Sequence, residues 1–131
     1  MKLGGVLNHR LAMVIAEMGH TDGLAVADAG LPVPLEVERI DLAVSPGVPS
    51  FVQVLTAIAS ELRVEELVVA QQIFEANPAA FKAIEDCFPG VPVVAVPHAE
   101  FKTLTRDTRA VVRTGECTPY ANVILRSGVI F

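Results

Sequence analysis

The stretch Leu24-Ala25-Val26-Ala27-Asp28-Ala29-Gly30-Leu31-Pro32 decides how this chain folds. Four apolar residues follow one another without the apolar–polar alternation of a half-exposed strand, so the run reads as a strand buried on both faces. A single carboxylate then ends the run, and glycine and proline turn the chain away. The same kind of apolar run recurs at Glu66 to Ala70, Val91 to Val96 and Arg109 to Arg113, with a further strand at Arg39 to Val44. Helical patterns separate them. Asn8 is a good N-cap for a helix that buries Leu11, Val14, Ile15 and Met18 and ends at Gly19. Ser50 and Gln53 have the spacing of a capping box before Phe51, Val54, Leu55, Ile58 and Leu62. Asn77-Pro78 opens a third helix, with Phe81, Ile84 and Phe88 on its apolar face, and Phe101 and Leu104 suggest a short fourth. The chain ends in a strand at Asn122 to Leu125, and Ser127-Gly128 is placed to turn it back into Val129 to Phe131. The expectation is one α/β domain over residues 1-131: a mostly parallel central sheet with helices on both faces and an antiparallel C-terminal hairpin.

Composition narrows the function. Of 131 residues, 52% are hydrophobic and 19% charged, which excludes a disordered chain. Fifteen acidic against ten basic residues give a net charge of -5, with no basic cluster to track a phosphate backbone, so no nucleic-acid partner is expected. No apolar run approaches the ~20 residues of a membrane span. Nothing behind Lys2 resembles a signal peptide, and a cytoplasmic protein without membrane insertion is expected. Mean hydropathy is +0.50, high for a domain this small, and Lys2, Lys82 and Lys102 are the only lysines. Such a chain either has a well-filled core or covers much of its surface with other subunits, and we favour the homo-oligomer. Cys87 and Cys117 form no CxxC and read as free thiols, and no metal site is expected.

The polar residues at strand ends carry the chemistry. In open α/β sheets ligands bind beyond the carboxyl ends of the strands. Asp28 and His98 both sit directly after apolar runs, at that position. Asp28 either caps the Ala29-Gly30 turn or meets a bound group; His98 is either an N-cap-like loop residue or a ligand contact. His20 lies in Gly19-His20-Thr21-Asp22-Gly23, where Thr21 and Asp22 either orient its ring for acid–base work or simply form a turn. His9, without ligand-spaced neighbours, reads as solvent-facing. The segment Thr114-Gly115-Glu116-Cys117-Thr118-Pro119-Tyr120-Ala121-Asn122 holds the only tyrosine. Tyr120 and Asn122 alternate around Ala121, so both can point into a polar pocket suited to sugar hydroxyls, unless the segment is an ordinary loop. There is no GxGxxG, GxxxxGK, HExxH or GxSxG, and Cys117 has no histidine near it in sequence to make it a nucleophile.

Gly19-His20-Thr21-Asp22, Asp28-Ala29-Gly30-Leu31-Pro32 and the 114–122 segment, in this order and spacing, resemble the D-ribose pyranase family, a relative of the fucose mutarotases. The resemblance runs from the Asn8 helix to Gly128-Val129-Ile130-Phe131 and includes Ser45-Pro46-Gly47-Val48-Pro49-Ser50-Phe51. It implies a mutarotase that interconverts the pyranose and furanose forms of D-ribose without cofactor or metal. By matching position, His20 resembles the family's proton donor. Asp28, His98, Tyr120 and Asn122 resemble its sugar-binding residues, and Lys102 an additional contact. It also implies a ring-forming homo-oligomer, commonly a decamer, with sites at subunit contacts. A fucose-type mutarotase and a non-catalytic sugar-binding subunit associated with ribose uptake are the alternatives.

Overall fold

A computed structural model describes residues 1–131. The chain runs α1 (His9–Glu17), β1 (Gly23–Ala27), β2 (Glu38–Asp41), α2 (Phe51–Ala59), β3 (Val64–Ala70), α3 (Ile73–Ala76), α4 (Pro78–Cys87), β4 (Val93–Val96), α5 (His98–Leu104), a 3-10 turn at Thr105–Asp107, β5 (Thr108–Arg113) and β6 (Val123–Ser127). The helix starts follow from local chemistry. Asn8 accepts the Leu11 N–H, Asn77 accepts the Ala80 N–H ahead of Pro78, and Ser50 and Gln53 close the capping box.

The six strands form one sheet in the order β2-β5-β1-β6-β3-β4. The pairs β2–β5, β5–β1 and β3–β4 are parallel, while β6 lies antiparallel between β1 and β3. Five strands therefore point one way and β6 points back. The α/β expectation holds, with one correction: there is no C-terminal hairpin. Val129 to Phe131 lie outside any strand, because both edges of β6 are already paired, to β1 and to β3.

Strand alternation sorts the core into two layers. Leu24, Val26, Leu67, Val69, Val112 and Leu125 face α1, α2 and α4, in a core with Leu11, Phe51, Leu55 and Ile84. Ala25, Ala27, Val68, Ala70, Val111 and Ile124 face the other side, where Phe101 of α5 and Leu31 pack on them. Helices thus cover both faces, unequally. The Val91 to Val96 run is less buried than its composition suggests: β4 is an edge strand, and Val93 to Ala95 are exposed.

Gly115 fixes how the 45–49 loop meets the strand ends. Its N–H donates to the Pro49 carbonyl and its own carbonyl accepts the Gly47 N–H. A Cβ at Gly115 would overlap the Val48 backbone, with the Val48 carbonyl carbon and nitrogen both at 2.6 Å. Gly115→Ala is expected to lower unfolding stability by ~1–3 kcal/mol, the usual cost of overpacking, in a denaturant titration. An unchanged midpoint would show that the loop yields freely.

Candidate active site

The carboxyl ends of the parallel strands and the beginning of β6 form one rim, where four of the expected residues meet. Asp28 is the first residue after β1, and Asn122 the last before β6. Asn122 Oδ1 accepts the Asp28 N–H at 2.9 Å, and Asn122 Nδ2 donates to Asp28 Oδ2 at 2.9 Å. The Gly30 N–H donates to Asp28 Oδ1, also at 2.9 Å. Asp28 therefore caps its turn and is clamped by Asn122 at once, and each carboxylate oxygen keeps a lone pair for a hydroxyl donor. Asn122 is fully buried and spends both ends of its amide on Asp28. Its first task is to hold the carboxylate.

Tyr120 and His98 make the second half of the rim. Tyr120 has φ +57°, a left-handed conformation that non-glycine residues rarely adopt, and its carbonyl accepts the Asn122 N–H at 2.8 Å. Asn77 steadies this turn by donating to Thr118 Oγ1 and the Pro119 carbonyl, both at 2.8 Å. Residues 120–122 precede the strand; Ala121 is buried in the core and Tyr120 half-buried, while Asn122, expected to open beside Tyr120 into a pocket, is itself fully buried. The Tyr120 ring meets the His98 ring edge to face, with centroids 5.0 Å apart.

His98 is the first residue of α5, and its N–H donates to Gln72 Oε1 at 3.1 Å. Burial pushes its pKa below the ordinary 6.5; Lys102, one turn on, pushes the same way, and Asp28 opposes them. At neutral pH the imidazole is uncharged, with Nδ1 buried and unpartnered by protein. Lys102 itself is exposed and lines a hollow of ≈ 540 Å³ against the Pro32–Glu36 segment, and a neighbouring hollow of ≈ 530 Å³ is lined by Gln71, Gln72, Phe74, Glu75 and Tyr120. Of the site groups, Lys102 lines the first hollow and Tyr120 the second, while the His98 ring meets Tyr120 and feels the charges of both Lys102 and Asp28. A carboxylate, a neutral imidazole, a phenol and an ammonium are together a set able to donate to and accept from several hydroxyls of one small polyol.

His20 does not join them. It lies before β1, at the opposite end of the sheet, and the five residues of β1 hold it roughly 16 Å or more from Asp28 at about 3.3 Å per residue. Neither Thr21 nor Asp22 orients its ring. Asp22 accepts the Gly19 N–H and pairs with Arg109 at 2.9 Å, contacts that hold its carboxyl below the usual range. The partner of His20 is Glu65, whose carboxylate oxygens lie 2.9 and 3.0 Å from Nε2. His9 is exposed, as expected.

Glu65 and Gln72 are the residues that sequence reasoning missed. Glu65 is one polar position on a strand with no motif around it, and Gln72 precedes a helix too short to leave a periodic signal. Asn77 was legible only as a helix cap; its grip on the 118–119 turn is a long-range contact.

Residues 1–130 match the RbsD / FucU transport protein family. The D-ribose pyranase of Laribacter hongkongensis is 53% identical over 131 residues, covering all of both chains. That of Geobacillus kaustophilus is 50% identical, covering all of this chain and 96% of its own. Among solved structures, Bacillus subtilis RbsD complexed with D-ribose superposes with a TM-score of 0.96 at 46% identity, covering all of both chains. A Streptococcus pneumoniae fucose mutarotase in complex with L-fucose shares the fold alone, at TM-score 0.76 and 22% identity over 93% of each chain.

Two outcomes are expected from this geometry. Asn122→Ala removes both bonds to Asp28 and strands a backbone N–H, so it should cost ~1–3 kcal/mol of folding stability in a urea titration. Wild-type stability would mean the clamp is dispensable to the fold. For His98, the unfolded chain takes up a proton near pH 6.5 before the folded one does, so folding stability is full above that pH and is lost as pH falls below it. Melting temperatures between pH 8 and pH 5.5 should fall less steeply for His98→Gln than for wild type; parallel curves would contradict this.

Proposed function

The chain belongs to the RbsD / FucU transport protein family, and from that premise we propose how its own residues perform the reaction. The protein is an isomerase, a mutarotase that interconverts the pyranose and furanose forms of D-ribose. The observation that carries the residue-level reading is the Asp28–Asn122 clamp beside His98 and Tyr120, on the same rim of one sheet.

The two ring forms differ in whether the C5 or the C4 hydroxyl is closed onto C1. Opening breaks the bond between C1 and the ring oxygen. The ring oxygen takes up one proton, the anomeric hydroxyl gives one up, and C1 becomes the aldehyde. Closure by the other hydroxyl reverses these transfers, so no proton is gained or lost overall. In this proposal His20 donates to the ring oxygen and water takes the anomeric proton, while Asp28, His98, Tyr120, Lys102 and the second Nδ2 hydrogen of Asn122 hold the remaining hydroxyls so that the open chain recloses. The chemistry is proton transfer, proposed without cofactor or metal.

One chain cannot bring its own His20 to its own Asp28, because β1 separates them. The His20 end of one subunit therefore meets the Asp28 end of the next. Such a contact joins two different surfaces, and repeated copies of it close into a ring. Exposed apolar side chains support extensive subunit contact: Val93 and Val94 on the β4 edge, Phe74 beside the rim, and Ile130 and Phe131 at the C-terminus. A homodecamer is the proposed assembly and the cytoplasm its proposed location; no helix is long and apolar enough to cross a membrane.

Mixing two inactive variants tests the shared site. His20→Ala and Asp28→Asn should each lose ~10²–10⁴ of the exchange rate. Unfolded and co-assembled at equal amounts, they should recover about a quarter of wild-type activity, since each site draws the two residues from different subunits of a closed assembly. No recovery from a folded mixed assembly, or full activity in His20→Ala alone, would overturn the assignment.

A further inference from the structure

His20 sits on a rigid frame with an almost free ring. The Thr21 N–H donates to the Ser127 carbonyl at 2.8 Å, the Ser127 N–H to the Asp22 carbonyl at 2.8 Å, and the Gly128 N–H to the Arg63 carbonyl at 2.8 Å. The loop carrying His20 is thereby tied to the end of β6, and the end of β6 to the start of β3, where Glu65 lies. Gly128 adds a steric reason for the arrangement, since a Cβ there would come within 3.2 Å of Glu65 Cβ. On this frame the His20 side chain is 56% exposed and Glu65 40% exposed, and their contact is the only hydrogen bond to the imidazole.

An ion pair this exposed contributes little to stability, because water screens it and two side chains lose freedom to make it. What it can do is choose which ring nitrogen carries a fixed proton. From these contacts we infer that Glu65 is a positioning residue for His20. Its carboxylate holds the proton on Nε2 and leaves Nδ1 as the atom that exchanges protons with the sugar. The inference rests on the proposed acid role of His20 and adds to it a defined tautomer and ring orientation. As the imidazolium, the ring donates from Nδ1; as the neutral ring, it accepts there; in both forms Nε2–H stays on Glu65. A carboxylate–imidazole pair of this kind is a means of keeping a catalytic ring in register with a substrate it must meet across a subunit boundary.

The experiment compares Glu65→Ala, Glu65→Gln and His20→Ala in the intact assembly. It follows ribose ring exchange, and ¹⁵N chemical shifts of the imidazoles report the tautomer. Glu65→Ala should lower kcat roughly tenfold or more, short of the ~10²–10⁴ for loss of the acid itself, with KM within about twofold and an unchanged melting temperature. The His20 signals should move from a single Nε2–H form to a mixture. Glu65→Gln keeps a carbonyl acceptor and should recover both rate and tautomer in part. A fully active Glu65→Ala beside an inactive His20→Ala would overturn the role of Glu65 alone. An active His20→Ala would instead overturn the acid assignment on which that role rests.

Discussion

The reversed strand β6 is the constraint on which the rest of the molecule depends. Without it, β2, β5 and β1 would form one parallel group and β3 and β4 another, with nothing joining them edge to edge. By pairing antiparallel with both β1 and β3, β6 makes one sheet from two. Its direction also matters. A strand running against its neighbours begins where theirs end, so the residues that introduce β6 are delivered to the carboxyl rim. Asn122 arrives there beside Asp28, and Tyr120 beside His98.

The other end of β6 does the converse. Ser127 and Gly128 arrive at the amino ends of β1 and β3 and lock the His20 loop to the strand that bears Glu65. One short strand thus organises two sets of polar groups on opposite edges of the sheet, with a dry core between them. The core explains why they stay apart: Leu24 to Val26 and Val123 to Leu125 are fully buried, and no polar path crosses them. A reaction that uses both sets must bring two copies of the chain together. The apolar residues left in the open, unusual for so small a domain, are in keeping with that need.

Most of the fold was legible because its signals are local. Asn8, Ser50 and Asn77 mark helix starts through contacts within three residues, and uninterrupted apolar runs mark buried strands. The hairpin was misread because strand direction is a long-range property; a Ser-Gly turn signal cannot reveal that both edges of β6 are occupied. The site shows the same division. Asp28 and His98 stand out as polar residues at the ends of apolar runs, and Tyr120 and Asn122 as alternating residues in a polar segment between strands. That Asn122 spends its amide on Asp28, ninety-four positions away, follows only from the fold. Glu65 left no trace, since one carboxylate on a strand looks like any solvated side chain until His20 is placed beside it.

Ring exchange is the activity on which all of this chemistry turns, and magnetisation transfer between the anomeric proton signals of ribopyranose and ribofuranose at equilibrium measures it in the protein itself. The exchange rate should rise in proportion to added protein while the ratio of the two forms stays fixed. Ribose that binds, seen as broadened or shifted signals, with no gain in pyranose–furanose exchange would contradict it.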